Sequence, residues 1–574
     1  MRFLQKIRQN KIPLLLLLLI LAVHVAFISC KEGYHMDELL SFELANAEYN
    51  PWIVPTQPQG RLAKFVKEEI EGETFSETIG NFTDVVKDVL VNRGNSKLLT
   101  YKADVYEEPV WIDRETFEAY TTTGQRDSFN LLSVYFNVKD DNHPPVHFML
   151  LHLMSSLFPG KLSVWLGCII NLASLAGIGI CFWKGGILLE NHQIMPEGKG
   201  KIWAGCAILL YGLSAGAFAT TLLIRMYGVM TFFCVWMLYV HVKKWLEGTF
   251  DCRNKGLIVI TVLGFLTQYF FLFYCILLAV VTFVLLMINK RKKEAGVYVR
   301  SMILAAVFGV GIFPFSVADV LSSGRGVEAL ENLGGGLAEF GERLQVFGSF
   351  VMQRCFSFSV LGILLLGVCI GYFIYLCVSR RLTRRWLAAM LLIPPVGYFV
   401  LAAKVSPMYV DRYVMAVFPF VFMIFAAVLV GLTYKMKRSG LICFLISLLL
   451  GGVAVTTYDG EYLYEGYEEQ LALAGKYQNL PCICLYEGDG FYDNLQEFMI
   501  YEETLLVKPA LLKERKDASD IEELSQVVVL MKATVEEAEC ISILEDYGLQ
   551  VQEILLENGT YRDRVYLFGK SSEE

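Results

Sequence analysis

Charge is what this chain of 574 residues has least of: only 19% of it is Asp, Glu, Lys or Arg, while 55% is apolar. A soluble protein carries roughly 25% charged residues, so the deficit argues against a string of ordinary soluble domains and makes lipid the main solvent. A basic stripe is missing as well. The 50 Lys and Arg set against 58 Asp and Glu leave a net charge of −8, and the chain shows no nucleic-acid footprint. Acids crowd the first loop and the tail; bases crowd the short loops between apolar runs. Cysteine is present, but half of the 14 (Cys168, Cys181, Cys206, Cys234, Cys275, Cys369, Cys443) sit inside apolar runs, where a thiol acts as a small hydrophobe, so no disulfide framework is expected. No small-x-small cleavage site follows the first apolar run, PLLLLLLILAVHVAFI, which therefore reads as a retained membrane helix and not as a signal peptide.

What the sequence does have is apolar length. Eleven windows are expected to cross a bilayer as helices, which satisfy their own backbone hydrogen bonds in hydrocarbon: about 12 to 30, 162 to 183, 201 to 222, 226 to 243, 256 to 269, 270 to 289, 299 to 320, 356 to 378, 386 to 403, 413 to 433 and 439 to 457. The fifth and sixth share one apolar stretch, split near Gln268. Basic clusters test the count, because bases gather on the cytoplasmic side. They occur at Arg2, Lys6, Arg8 and Lys11; Lys184, Lys199 and Lys201; Lys243, Lys244, Arg253 and Lys255; Lys290 to Lys293; Arg380, Arg381, Arg384 and Arg385; and Lys435, Lys437 and Arg438, all on alternate loops. This predicts a cytoplasmic N-terminus and a plasma-membrane protein whose loop 31 to 142 and tail 458 to 574 are extracytoplasmic. HPPVHFMLLHLMSSLF, residues 143 to 158, breaks the alternation if counted as a span, and reads as a helix lying in the outer interface. In the tail, PCICLY, VVVLM and VYLFG read as strands and VEEAECISILEDYG as a helix. The fold class expected is an all-α polytopic membrane protein with a small C-terminal α/β domain. Its parts are a first transmembrane helix (1–30), a loop with a juxtamembrane helix (31–161), a polytopic region (162–457) and the extracytoplasmic α/β domain (458–574).

Three clusters carry chemistry. Asp37 and Glu38, in YHMDELLSFELANAEY, stand just outside the first span at the start of a helix; they read either as ordinary first-turn charge or as a carboxylate placed to accept a proton from a hydroxyl. Asp141, His143, His147 and His152 close the same loop in DDNHPPVHFMLLH. His143 and His147 share a helix face if the helix begins early enough, but HxxxH without an intervening Glu is a weak metal motif, and interface histidines with wet tips are the plainer reading. Arg225 in TLLIRMYG and Arg412 in YVDRYVMAVFP are bases on the side where bases are scarce; they read as snorkelling anchors or as a bidentate grip on a phosphate. Tyr227, Tyr409 and Tyr413 beside them fit an aromatic belt.

The order of these motifs, a DE pair after the first span, an HPP segment, RMYG and then PMYVDRY, resembles the lipid-phosphosugar-dependent glycosyltransferases of the C superfold, in the branch that contains protein O-mannosyltransferases and aminoarabinose transferases. The resemblance covers about residues 12 to 435 and rests on order, since each motif alone is short. It implies that Asp37 is the catalytic base and Glu38 its acidic neighbour, that His143 and Pro144 belong to the juxtamembrane motif near the active site, with Asp141, Tyr227 and Tyr413 in its vicinity, and that Arg225 and Arg412 lie near the carrier phosphate. The implied donor is a polyprenyl-phosphate-linked sugar, the acceptor a glycan, lipid or protein, and the reaction a single inverting displacement. The long loop 31 to 142 departs from the pattern. No cofactor is assigned; a divalent metal would call on Asp37, Glu38 and His143, an incomplete ligand set. Two rival readings stand beside this one: a transporter or flippase of a lipid-linked substrate, and an assembly protein whose tail binds a surface partner.

Overall fold

The computed structural model describes residues 11–92, 95–101, 108–251, 254–321, 324–379, 384–515 and 518–570. The bases at Arg2, Lys6, Arg8, Arg253, Arg380 and Arg381 lie outside the described residues. The chain divides into two compact units. One comprises Met1–Cys30, Lys139–His147 and Gly167–Glu461; the other comprises Lys31–Val138, Phe148–Leu166 and Tyr462–Glu574.

The first unit is helical and holds the apolar windows, and the chain is an integral membrane protein. Among the described residues seven helices of 18 to 28 residues are long and apolar enough to cross a membrane, and an eighth if a bent pair counts as one span. Every expected window is helical, but three lack the length or composition to pass alone. Lys11–Ile28 is barely long enough, Lys255–Phe265 has only 11 residues, and Tyr227–Glu247 is diluted by Tyr, Trp, His and Lys. The helix breaks between Phe265 and Phe271, around Gln268, as the sequence predicts. The 143 to 158 segment gives Val146–Ser156, which at roughly 1.5 Å per residue is too short for a crossing. Between the windows that end at 320 and begin at 356, where the sequence predicts no element, stand the helices Gly324–Gly334 and Leu337–Phe356.

The bent pair fixes the place of Arg225. Lys199–Gly212 and Ala215–Leu222 meet at 61°. Ser214 restarts the helix by accepting a hydrogen bond from the Ala217 N–H at 3.1 Å. The second piece then stops, because Asn171 of the Val164–Asn191 helix donates its amide to the carbonyls of Thr221 (3.3 Å) and Leu223 (2.7 Å), which a helix end leaves unpaired. Gly228 makes room for that amide: a Cβ there would stand 2.5 Å from Asn171 Oδ1. Residues 223 to 226 are left outside the helices, and Arg225 sits among them.

The second unit carries a six-stranded sheet in the order β1-β3-β2-β4-β6-β5, with β1 Trp111–Asp113, β2 Cys482–Leu485, β3 Glu503–Val507, β4 Gln526–Met531, β5 Leu549–Leu556 and β6 Arg564–Lys570. β3, β2 and β4 run parallel, while β1, β6 and β5 pair antiparallel to their neighbours. The expected strands are β2, β4 and β6, and the expected helix is Glu537–Asp546. The continuous apolar runs of β2 and β4 are buried on both faces, as central parallel strands must be. The sheet is not built from the tail alone, because its edge strand β1 comes from the first loop.

Glu497, in this unit, is wholly buried. Burial pushes its carboxyl up to about 7, against the opposing donors Asn494 (2.6 Å) and Gln470 (3.1 Å). A native group that keeps its proton where the unfolded chain releases it makes stability fall as pH rises, here between about 4.5 and 7, by on the order of 3 kcal/mol. Glu497→Gln is expected to flatten that slope. Thermal melts of the full-length protein at pH 5 and 7.5 check this; a slope unchanged in the variant would contradict it.

Candidate active site

The acidic pair sits on the Met36–Asn46 helix, and its two members face different surroundings. His35 caps the helix, its Nδ1 accepting from the Asp37 N–H at 3.0 Å, while Glu38 reaches back to the His35 N–H at 2.7 Å, which makes a reciprocal capping box. Glu38 also accepts from Lys31 Nζ at 3.0 Å, and neither side chain is exposed. Asp37 keeps about a fifth of its side chain exposed (19%), with His35 Nδ1 at 3.6 Å from its carboxylate. Glu38 thus anchors the helix start; Asp37 is the member that stays partly exposed. Further along the same helix Glu43 is fully buried, and burial holds its carboxyl well above the usual range, more than Tyr492 and the Ile53 N–H lower it.

In the first unit the HPP segment and the RMYG segment meet. His143 Nδ1 lies 2.9 Å from Asp141 Oδ2, and its Nε2 lies 3.4 Å from the Arg225 guanidinium. A carboxylate on one side and a donor on the other suit an imidazole that donates from Nδ1 and accepts at Nε2. Burial would raise the Asp141 carboxyl, but His143, Arg225 and the Asn142 N–H together bring it below the ordinary carboxylate range. Because the helix begins only at Val146, His143 precedes it and shares no helix face with His147. His147 is buried, and burial first, then Arg225 and His143, push its imidazole down to about 3, so it is no wet-tipped interface residue. Arg225 is 5% exposed, which rules out a snorkelling anchor.

Arg412 follows Asp411 in the short 3-10 helix Asp411–Val417, which packs on the Tyr227–Glu247 helix. Its guanidinium lies 5.9 Å from the ring of Tyr413, and that ring meets Tyr227 edge-on at 6.4 Å. Tyr227 is buried here and so does not belong to a lipid-facing belt. Tyr398 donates to the Tyr413 carbonyl at 2.8 Å. The RMYG and PMYVDRY motifs are therefore neighbours, with Asp141 and His143 joined to the first of them. Asp37 and Glu38 belong to the other unit.

The sequence reading missed what holds the PMYVDRY segment. Along one face of Leu337–Phe356 stand Arg343, Phe347, Val351 and Arg354, a helical spacing legible in hindsight. Arg343 donates to the Ser406 carbonyl at 2.7 Å and lies 5.1 Å from the Tyr409 ring; Arg354 binds Asp411 at 2.6 Å and Asp459 at 3.2 Å, and pairs with Glu461. Arg354 and Asp411 are both buried, and removing one partner strands the other's charge. Arg354→Gln is expected to cost about 3 kcal/mol of stability, seen as a lowered melting temperature of the detergent-solubilised protein; an unchanged melt would show the pair to be dispensable. Among the described residues, no group of three or more His, Cys, Asp or Glu side chains is arranged to hold a metal ion.

No family model and no curated protein sequence matches the chain. Among solved structures it is similar to the crystal structure of ArnT from Cupriavidus metallidurans bound to undecaprenyl phosphate, at 12% identity and a TM-score of 0.41, over 74% of this chain and 88% of that one. It is also similar to the crystal structure of the same protein in the apo state, at 12% identity and a TM-score of 0.44, over 74% of this chain and 87% of that one.

Proposed function

We propose that the chain is a membrane glycosyltransferase that moves a sugar from a polyprenyl-phosphate carrier to an acceptor hydroxyl on the extracytoplasmic side. The observation that carries this reading is the meeting of two motifs far apart in sequence: the buried Arg225, held in the short non-helical link between Ala215–Leu222 and Tyr227–Glu247, contacts His143 and through it Asp141. A buried guanidinium held by an imidazole and, through it, a carboxylate is suited to a lipid-borne phosphate.

The chemistry then divides among the chain's own residues. Asp37 takes the proton of the acceptor hydroxyl as its oxygen attacks the anomeric carbon. The bond from that carbon to the phosphate oxygen breaks, its electron pair leaves with the phosphate, and Arg225 and Arg412 stabilise the charge that develops there. One displacement inverts the anomeric centre. Glu38, bound by Lys31, keeps the helix of the base in place. Asp141 and His143 orient Arg225.

One observation favours a second reading. A span broken at 61° is a feature of carriers, so a flippase of a lipid-linked substrate stays in contention. Mass analysis of surface glycans, glycolipids and glycoproteins with and without the chain separates the two. A transferase is expected to add one defined sugar to one class of acceptor, and its loss names both; an unchanged sugar profile counts against transfer.

A further inference from the structure

We propose that the C-terminal domain is a positioning element of the transfer reaction, holding the backbone that presents Asp37; this rests on the proposed role of Asp37 as the base. Four consecutive residues just ahead of the base are tied to it. Lys31 donates to the Tyr462 carbonyl at 2.7 Å and lies 4.9 Å from the Tyr464 ring. Glu32 gives its N–H to the Leu463 carbonyl at 2.8 Å and takes the Gly466 N–H on its carboxylate at 2.7 Å. Gly33 runs so close to the domain that a Cβ would stand 2.9 Å from Tyr464 and Tyr467 and 3.0 Å from the Tyr561 hydroxyl. Tyr34 closes the series: its carbonyl accepts from Tyr561 at 2.6 Å, and its N–H donates to the same hydroxyl at 3.3 Å.

The domain's side of this contact is itself fixed. Tyr462 and Tyr464 adopt left-handed backbone (φ 69° and 57°), which residues with a Cβ hold only where their surroundings dictate it. Tyr561 is braced by the Tyr467 ring at 5.0 Å and by Lys532, whose ammonium lies 5.6 Å from its ring and is paired with Asp563 at 2.6 Å. The helix of the base begins at Met36, two residues after Tyr34, so the direction in which Asp37 leaves the backbone is inherited from these contacts. General-base catalysis needs the carboxylate within hydrogen-bond reach of the hydroxyl, and small misplacements are costly in rate. An appended recognition module would have no need to enclose the main chain of the catalytic motif.

Two variants disturb the contact from opposite sides and leave Asp37 itself intact. Tyr561→Phe keeps the ring and loses both hydrogen bonds; Gly33→Ala pushes the two surfaces apart. Sugar transfer in cells and equilibrium binding of polyprenyl phosphate to the purified full-length protein are measured for each variant and for the pair. Transfer is expected to fall about tenfold for Gly33→Ala and about threefold for Tyr561→Phe, with polyprenyl-phosphate binding unchanged within about twofold and the double variant no worse than Gly33→Ala alone. Wild-type transfer by Tyr561→Phe, the conservative change, would overturn the inference while Asp37→Asn stays inactive, as would losses that track weakened phosphate binding. Normal transfer by Asp37→Asn would instead remove the proposed function, and this inference with it.

Discussion

Replacing Asp37 by Asn is expected to reduce sugar transfer by a factor of about 10² to 10⁴ while leaving membrane insertion and polyprenyl-phosphate binding as they are. The amide is isosteric with the carboxylate but cannot take the acceptor's proton. Because the capping box and the buried ion pair are made by His35, Glu38 and Lys31, the helix start survives the change. The neighbouring variant Glu38→Gln should behave differently. It leaves the Lys31 ammonium buried without its counter-charge, so it is expected to lower the melting temperature as well as the rate. A rate loss confined to Glu38→Gln, with Asp37→Asn active, would exchange the roles of the two acids.

Arg225→Gln comes next in size. If its guanidinium meets phosphate charge as the anomeric bond breaks, removing it costs about 3 kcal/mol of transition-state stabilisation, roughly 10² in rate. Lys in its place restores charge but not the planar fork, so it is expected to recover activity only in part. His143→Ala should mimic a weaker version, since the imbalance it creates falls on the orientation of Arg225 and not on its charge. Rates measured at saturating donor separate the cases. Equal losses for Arg225→Gln and Arg225→Ala with an unaltered His143→Ala would detach the imidazole from the site.

The parts of this molecule that could be read from sequence are those where one physical demand acts along a continuous stretch. A helix in hydrocarbon must close all its backbone hydrogen bonds, so the apolar windows were plain, as was the shortness of the segment that became Val146–Ser156. β2 and β4, buried on both faces, announced themselves as unbroken apolar runs. β1 gave no such signal: three residues at a sheet edge carry no period. Leu337–Phe356 gives no membrane-span signal because Arg343 and Arg354 lower its apolar character, although those two arginines are what fasten the segment bearing Arg412.

The site divides in the same way. Motif order singled out Asp37, Arg225 and Arg412, but no spacing rule could pair His143 with a residue 82 positions later, or show that Glu38 is spent on Lys31. Nor could it show that the tail reaches Gly33, because that contact depends on the absence of a side chain. Long-range pairings of this kind are fixed by packing, and packing is written in three dimensions.

The most direct test uses a sugar labelled at its anomeric carbon, carried on polyprenyl phosphate, with the purified full-length protein in sealed vesicles. Transfer predicts that the label leaves the carrier, free polyprenyl phosphate accumulates, and a glycoside of inverted configuration forms at the face bearing the first large loop. Label found still joined to its carrier but moved to the opposite leaflet would contradict it.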